Sequence, residues 1–231
     1  MSSAAPLPLN SLTSLSPLDG RYEKKTAALR GYFSEFALIK YRVHVEIEWL
    51  IALGAEPAIA ECKPFSANTV QAMRNAVSSF AVADAERIKA IEATTNHDVK
   101  AVEYWLRERF ADNAEVTAAQ SFIHFACTSE DINNLSHGLM LKAARDAVLL
   151  PALQTIETKL SALAHTHAGL AMLSHTHGQA ATPTTLGKEM ANVSWRLRHA
   201  REAIAKIELL GKINGAVGNY NAHLSAYPSL D

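Results

Sequence analysis

The sequence predicts an all-α fold. Apolar residues recur at helical spacing in several long segments, and residue types that favour N-caps precede those segments. No stretch alternates apolar and polar residues for long enough to build a sheet. The most regular apolar stripe advances by steps of four and three residues and consists of Leu186, Met190, Val193, Leu197, Ala200, Ile204 and Ile207. We expect this stripe to be buried, either within the chain or against another copy of it.

Composition and charge exclude several classes of protein. The chain has 231 residues, of which 48% are hydrophobic and 19% are charged, as is typical of a folded globular protein. A net charge of −1 provides no basic field for nucleic acid, and no apolar run is long enough to span a bilayer. Cys62 and Cys127 do not form a disulfide framework, and residues 1–10 lack the features of a secretory signal. We therefore expect a cytoplasmic protein with no nucleic-acid or membrane partner.

The first elements follow from local signals. Residues 1–20, rich in Ser, Pro and Leu, are expected to form an irregular arm. Ser34 is the predicted N-cap of a helix that ends near Gly54. Asn68 is expected to open a second helix, and a third covers residues 83–93. The first of these helices would bury one face, formed by Phe36, Ile39, Val43, Ile47 and Leu50.

Two polar segments at predicted helix starts contain candidate functional residues. Asn96 is the predicted N-cap of one helix, with His97 and Asp98 in its first turn. Thr128 and Asp131 have the spacing of a capping box at the start of another. A polar helix start can bind a phosphate or a carboxylate, so both segments are candidate anion sites. A purely structural role also fits, since an acid in a first turn complements the helix dipole.

A third polar segment, Leu173–Glu189, precedes the helix that carries the long stripe. Thr182 favours an N-cap there, and Pro183 fits the first helical position. The segment contains two imidazoles, His175 and His177. An imidazole held by hydroxyls and an amide can deliver a proton to a leaving group near neutral pH. If the three helix starts pack side by side, they could together bind a multiply anionic ligand without a metal.

Other catalytic and binding arrangements fit the sequence less well. The neighbours of His165, His167, His175 and His177 are Thr, Ser, Gly and Gln rather than carboxylates, so we expect no metal site. The Gly- and Asn-rich segment 211–221 lacks the ending of a P-loop, and no strand precedes it as in a Rossmann turn. It fits equally well a flexible loop near a ligand or a break between helices.

Six runs of residues, together spanning nearly the whole chain, carry a resemblance to a known family. They are Ser16–Tyr22 (SPLDGRY), Thr94–Tyr104 (TTNHDVKAVEY), Phe122–Asn134 (FIHFACTSEDINN), Thr176–Gln179 (THGQ) with Ala181–Pro183 (ATP), Gly187–Asn192 (GKEMAN) and Gly211–His223 (GKINGAVGNYNAH). With these runs the chain resembles the bacterial adenylosuccinate lyases, a family within the fumarase/aspartase superfamily. The resemblance implies a small N-terminal helical domain over residues 1–115 and the first, incomplete part of a long-helix bundle over 116–231.

The resemblance also implies a reaction: β-elimination of fumarate from adenylosuccinate, giving AMP, and from the succinyl-carboxamide ribotide of purine biosynthesis. No cofactor is implied. His177 would protonate the leaving nitrogen, and His97 would assist catalysis. The other implied contacts are to the small-molecule nucleotide substrate. Arg21 and Tyr22 would contact the nucleotide, and Asn96, His97 and Asp98 would line the pocket. Thr128 and Ser129 would bind a carboxylate, and Thr176 and Gln179 would bind the substrate beside His177.

The chain departs from the family pattern in three respects. His175 stands where Arg is expected, and Ala180 stands where Pro is expected. The family's Gly-Ser-Ser-x-Met-Pro-x-Lys-x-Asn loop, which supplies the serine that removes the β-proton, is absent from these 231 residues. We therefore expect an N-terminal portion of a longer protein that is inactive alone. The resemblance further implies a homotetramer whose sites are shared between subunits.

Two alternatives stay open at this stage. Another lyase of the superfamily, such as an argininosuccinate lyase, would share the fold, but the Asp-Gly-Arg-Tyr and Thr-Asn-His-Asp runs argue against it. A non-catalytic helical assembly module is the alternative from another class, and the missing serine loop favours it.

Overall fold

The structure is a computed structural model that describes residues 7–10, 12–16 and 18–229. The irregular arm expected over residues 1–20 therefore lies partly outside the described residues. Its described positions contain no helix or strand. Leu12 from this segment is nevertheless buried in the core, and its carbonyl accepts a hydrogen bond from the Phe36 N–H at 2.7 Å.

The described residues are mostly helical, which confirms the predicted fold class. The N-terminal half comprises α1 Glu23–Thr26, a 3₁₀ turn Ala27–Leu29, α2 Arg30–Phe33, α3 Glu35–Ala55, α4 Ala67–Ser78, α5 Val82–Thr95, α6 Asp98–Arg109, α7 Ala114–Ala118 and a 3₁₀ turn Gln120–Phe122. The remainder comprises α8 Ser129–Ala144, a π-helical turn Arg145–Leu149, α9 Leu150–Thr166, β1 Ala171–Thr176, β2 Gln179–Thr185, α10 Leu186–Lys206 and α11 Asn221–Ala226.

Backbone contacts group the chain into two compact units. The first unit is Met1–Leu141 together with Leu210–Asp231, and the second unit is Lys142–Leu209. The domain division expected at residue 115 stays a prediction. None of the helices in the described part of the chain is long and apolar enough to cross a membrane.

Helix α3 forms the centre of the first unit. The Ser34 hydroxyl accepts the Ala37 N–H at 3.2 Å, so the predicted N-cap is confirmed. All five residues of the predicted face are buried. They pack with α4, α5 and α6 through Met73, Ile88, Val102 and Trp105. Burial of a large apolar side chain contributes about 1.5–3 kcal/mol, so this face is a main source of stability in the unit.

Two predicted N-caps are each displaced by one or two residues. Ser66 rather than Asn68 caps α4, with its hydroxyl accepting the Thr69 N–H at 3.2 Å. Asn96 has a left-handed backbone, with φ +52°, and ends α5, so His97 caps α6 instead. An N-cap needs an extended backbone so that its side chain can reach back to the helix, and His97 rather than Asn96 has that backbone.

The predicted helix start at Thr182-Pro183 is wrong, because both residues lie in strand β2. Strands β1 and β2 form an antiparallel hairpin, and helix α10 begins only at Leu186, capped by Thr185. The hairpin also contradicts the expectation that the chain contains no sheet. Most residues of both strands are exposed, so no apolar face produces an alternating pattern in the sequence.

Small and charged residues, rather than the apolar stripe, form the face of α10 that packs on α9. Gly187 and Ser194 are buried, and the buried Glu157 of α9 accepts from Arg198 Nε at 2.7 Å and Arg201 Nε at 3.0 Å. No residue of the stripe is fully buried within the chain; Val193, for example, is 46% exposed. Ile207 lies beyond the helix end. Burial of the stripe against another copy stays a prediction.

We predict that Gly187→Ala destabilises the second unit. A Cβ at this position would lie 2.5 Å from Ala168 Cα and 2.6 Å from Ala168 N, and it would also meet the Ala164 carbonyl oxygen. Backbone atoms cannot swing aside, so α9 and α10 would have to separate at a cost on the order of 1–3 kcal/mol. Urea unfolding measures this loss.

Gly138→Ala in α8 is the matched control. Nothing lies within 4 Å of a Cβ at position 138, so the better helix propensity of alanine should raise stability by about 1 kcal/mol at most. If Gly187→Ala proved as stable as Gly138→Ala, the close α9–α10 packing described above would be wrong.

Candidate functional site

The start of helix α6 presents His97 with a defined proton position. Its Nδ1 accepts the Lys100 N–H at 3.1 Å, which makes the ring the N-cap of the helix. In the neutral ring the proton must then lie on Nε2. The side chain is 52% exposed, so this N–H can reach a ligand. His97 is therefore arranged as a hydrogen-bond donor rather than as a base.

Asp98 is held as a carboxylate beside His97. Its Oδ1 accepts the Val99 N–H at 2.9 Å, and its Oδ2 accepts from Arg42 Nη2 at 2.6 Å. Burial works against ionisation of Asp98, but the charge of Arg42 and these hydrogen bonds outweigh it and keep the pKa of Asp98 below its usual range. The side chain thus presents a fixed negative charge next to the donor ring.

The start of helix α8 shows one half of the predicted capping box. The Thr128 N–H donates to Asp131 Oδ2 at 2.8 Å, which is one half of a capping box. Neither the Thr128 hydroxyl nor the Ser129 hydroxyl forms a hydrogen bond within the described part of the chain. Both hydroxyls and the positive end of the helix are therefore available to a carboxylate.

The Gly- and Asn-rich segment 211–221 lies against this helix start. Lys212 Nζ donates to the fully buried Asp131 at 2.7 Å, and the Gly215 N–H donates to it at 3.2 Å. The Asn134 amide pairs with the backbone of Lys212 in both directions. A cavity of about 300 Å³ remains between the segment and the helix start, lined by Ala126, Cys127, Thr128, residues 214–217, Asn221 and Ala222.

The loop before α8 has an unusual backbone. His124 and Ala126 have φ values of +62° and +60°, in the left-handed region that side chains disfavour. Two contacts from α3 hold the loop: Glu46 Oε1 lies 2.6 Å from His124 Nδ1, and Trp49 Nε1 donates to the Phe125 carbonyl at 2.9 Å. The strain is thus located just ahead of Thr128, where it sets the entry into the helix.

Burial and charge around this loop shift three pKa values. Burial raises the pKa of Glu46, against the hydrogen bond from His124. Burial alone would lower the pKa of His124, but the hydrogen bond and charge of Glu46 outweigh it and raise that pKa. Burial and neighbouring carboxylates raise the pKa of Cys127. Its thiol stays protonated near neutral pH and is a poor nucleophile.

Arg21 and Tyr22 lie on an exposed turn. The Arg21 guanidinium carbon is 5.6 Å from the centre of the Tyr22 ring. The buried Arg30 anchors the turn through Asp19 at 3.6 Å and Glu23 at 3.3 Å. No hydrogen bond or ion pair between described residues connects Arg21 or Tyr22 to the starts of α6 and α8, and both side chains project into solvent.

His177 lies in the second unit, at the tip of the β1–β2 hairpin. His177 and Gly178 form its two-residue turn with φ values of +53° and +73°, as a tight hairpin turn requires. Thr176 and Gln179 pair across the turn, and all these residues are exposed. His175 lies within β1 and pairs with Ala180. The candidate acid is thus on a narrow, exposed tip.

The described residues contain no group of three or more His, Cys, Asp and Glu side chains that could hold a metal ion. His165 and His167 lie at the end of α9, and His165 is exposed there.

Several residues that shape the site were not among the residues predicted from the sequence. Arg42, Glu46, His124 and Lys212 all contact the segments that carry the predicted site residues. One available signal was the place of Arg42 and Glu46, one turn apart and next to Val43 and Ile47 of the predicted apolar face. Charged side chains at such positions are seldom buried unless they are paired.

Comparisons with known proteins agree on one family. A family model described as lyase matches residues 20–230. Adenylosuccinate lyase of Escherichia coli strain K12 is 55% identical over 223 residues, which cover 96% of this chain and 49% of that protein. The corresponding proteins of Vibrio cholerae and Legionella pneumophila strain Corby are 56% and 48% identical over the same shares. The chain spans about half the length of the curated relatives it matches.

Solved structures are similar in fold. Fumarate lyase from Mesorhizobium sp. BNC1 has a TM-score of 0.67 at 20% identity, over 96% of this chain and 47% of that chain. A 3-carboxy-cis,cis-muconate lactonizing enzyme from Pseudomonas putida has a TM-score of 0.65 at 23% identity, over 87% of this chain and 44% of that chain. At these identities the similarity shows the fold alone, and it agrees with the mostly helical architecture.

Proposed function

Because the chain belongs to the lyase family whose model matches residues 20–230, we propose that the protein releases fumarate from adenylosuccinate and leaves AMP. The observation that carries this proposal is the identity of more than half of its residues, across 96% of the chain, with proteins named adenylosuccinate lyase. The same elimination on the succinyl-carboxamide ribotide would give the enzyme two steps of purine biosynthesis. The proposed location is the cytoplasm.

The starts of α6 and α8 would bind the substrate in the first unit. Thr128 and Ser129 offer free hydroxyls and a positive helix end to a carboxylate of the succinyl group. His97, with its proton on Nε2, would donate a hydrogen bond to the substrate and so assist catalysis. Asn96 and Asp98 would line the same pocket, and the exposed Arg21 and Tyr22 would contact the nucleotide.

His177 is the proposed general acid. The leaving nitrogen is attached to a purine and cannot depart as an anion at neutral pH, so a proton must reach it as the C–N bond breaks. An imidazole is the side chain best matched to this pH. Its exposed place at a hairpin tip allows it to enter a site built from other chain segments. Thr176 and Gln179 would contact the substrate beside it.

A homotetramer is the proposed assembly. Its support is the apolar surface left on the second unit, where Ile156, Leu163, Val193, Trp195 and Ile204 are all exposed. Large apolar side chains left exposed along neighbouring helices favour a protein–protein contact. Sedimentation of the full-length protein should give the mass of four chains, and a monomer at micromolar concentration would contradict the proposal.

We predict opposite outcomes for two neighbouring histidines in the full-length protein. His177→Ala should lower kcat for adenylosuccinate by about 10²–10⁴-fold, because a positioned acid supplies that factor. KM should stay within about tenfold, because the lost interaction acts mainly in the transition state. His175→Ala is the matched control, since His175 lies in β1, pairs with Ala180 of β2 and is not part of the turn.

Steady-state fumarate release measures both variants. If His175→Ala were the inactive variant and His177→Ala retained most activity, the acid would have been assigned to the wrong histidine. If the wild type released fumarate from argininosuccinate but not from adenylosuccinate, the substrate assignment would be wrong.

The 231 residues by themselves should be essentially inactive, because they contain the proposed acid but no serine loop to remove the β-proton. Loss of one member of an acid–base pair lowers the rate by on the order of 10²–10⁴-fold. Fumarate release by this chain, compared with the full-length gene product, measures the difference. Equal rates would show that a group among these residues is the base.

A further inference from the structure

Helix α3 connects the starts of α6 and α8 through one side chain. Arg42 is buried, and its guanidinium reaches both helices. Nη2 donates to Asp98 Oδ2 at 2.6 Å, and Nε donates to Asn133 Oδ1 at 2.9 Å. Asp98 is the first residue of α6, and Asn133 lies one turn into α8. A single rigid group thus spans the gap between the two helices.

An apolar contact at the same place brings the three helices together but does not fix their alignment. Val45 of α3, Val99 of α6 and Ile132 of α8 form a small buried cluster of their own. Val99 follows Asp98 in the sequence, and Ile132 precedes Asn133. Apolar contacts have no directional preference, whereas a planar guanidinium with two bound oxygens fixes both distance and angle.

We propose that Arg42 is a positioning residue, which holds the His97 donor at a set distance from the Thr128–Ser129 pair. The proposal rests on the proposed function, because it is the substrate that must contact both groups. Arg42 acts through Asp98 and Asn133. A shift of one ångström between groups that bind one substrate can lower the rate by about 10²-fold, so this spacing matters to catalysis.

The contact between Arg42 and Asp98 also contributes to the lowered pKa of the Asp98 carboxyl at the start of α6. Arg42 is the nearest cation to Asp98, and its charge helps to keep the pKa of that carboxyl low. Without the guanidinium, Asp98 Oδ2 would lose its partner, while Val99 would still donate to Oδ1. The start of α6, with His97 at its N-cap, would then lose its side-chain connection to α3.

The test compares Arg42→Gln with Arg74→Gln in the full-length protein. Arg74 is the matched control, since it also joins a neighbouring helix to α3, with two 2.8 Å bonds to Glu48, but lies exposed. We expect kcat/KM for adenylosuccinate to fall about 10²-fold in Arg42→Gln, after normalisation to the folded fraction. Arg74→Gln should stay within about threefold of the wild type, as exposed pairs contribute little.

A double-mutant cycle distinguishes positioning from a general loss of stability. In an Asp98→Asn background, Arg42→Gln should lower kcat/KM by a smaller factor than it does in the wild type, because the two side chains act through one contact. An equal factor in both backgrounds would overturn the inference. So would an Arg42→Gln variant that matches Arg74→Gln.

Two further arms complete the test. If Arg42→Gln does not fold, Arg42→Lys is measured against the same criteria, since it keeps a buried cation but lacks the planar fork. A wild-type protein that releases no fumarate would overturn the proposed function, and this inference with it. An active wild type with no effect of Arg42 would overturn the inference alone.

Discussion

The charges that α3 carries into the interior are the constraint on which the first unit depends. Arg42 and Glu46 lie one turn apart and are both buried. An unpaired ion in a protein interior costs several kcal/mol, so each needs a partner at close range. Asp98 and Asn133 approach Arg42, and His124 approaches Glu46. The starts of α6 and α8 are therefore tied to one helix.

The same pairing explains why a strained loop persists before α8. Left-handed backbone at a residue with a side chain costs on the order of 1–3 kcal/mol, and both His124 and Ala126 adopt it. The hydrogen bond that Glu46 accepts from His124 and the one that Trp49 donates to Phe125 offset that cost. The loop holds Thr128 and Ser129 from one side. Asp131 holds the helix start from the other side, because it accepts hydrogen bonds from the Thr128 N–H and from Lys212.

Close packing of α9 against α10 holds the second unit together. Its two long helices approach closely because Gly187 has no side chain, and Arg198 and Arg201 neutralise the buried Glu157 between them. This arrangement turns small and charged residues inward, so no member of the apolar stripe of α10 is fully buried. Val193, Ala200 and Ile204 are exposed, which is why an assembly is proposed.

The sequence by itself determined the helical fold, the buried face of α3 and the hydrogen bond between the Thr128 N–H and Asp131, because these depend on neighbours within a turn or two. It also identified the polar starts of α6 and α8. The hairpin was decided only by the tertiary structure, as exposed strands carry no apolar pattern. The same holds for the partners of the site: Arg42 meets Asp98 across 56 residues, and Lys212 meets Asp131 across 81. Such pairs form because a buried charge needs a partner of opposite charge or a hydrogen-bond partner. The local sequence does not specify which distant residue becomes that partner.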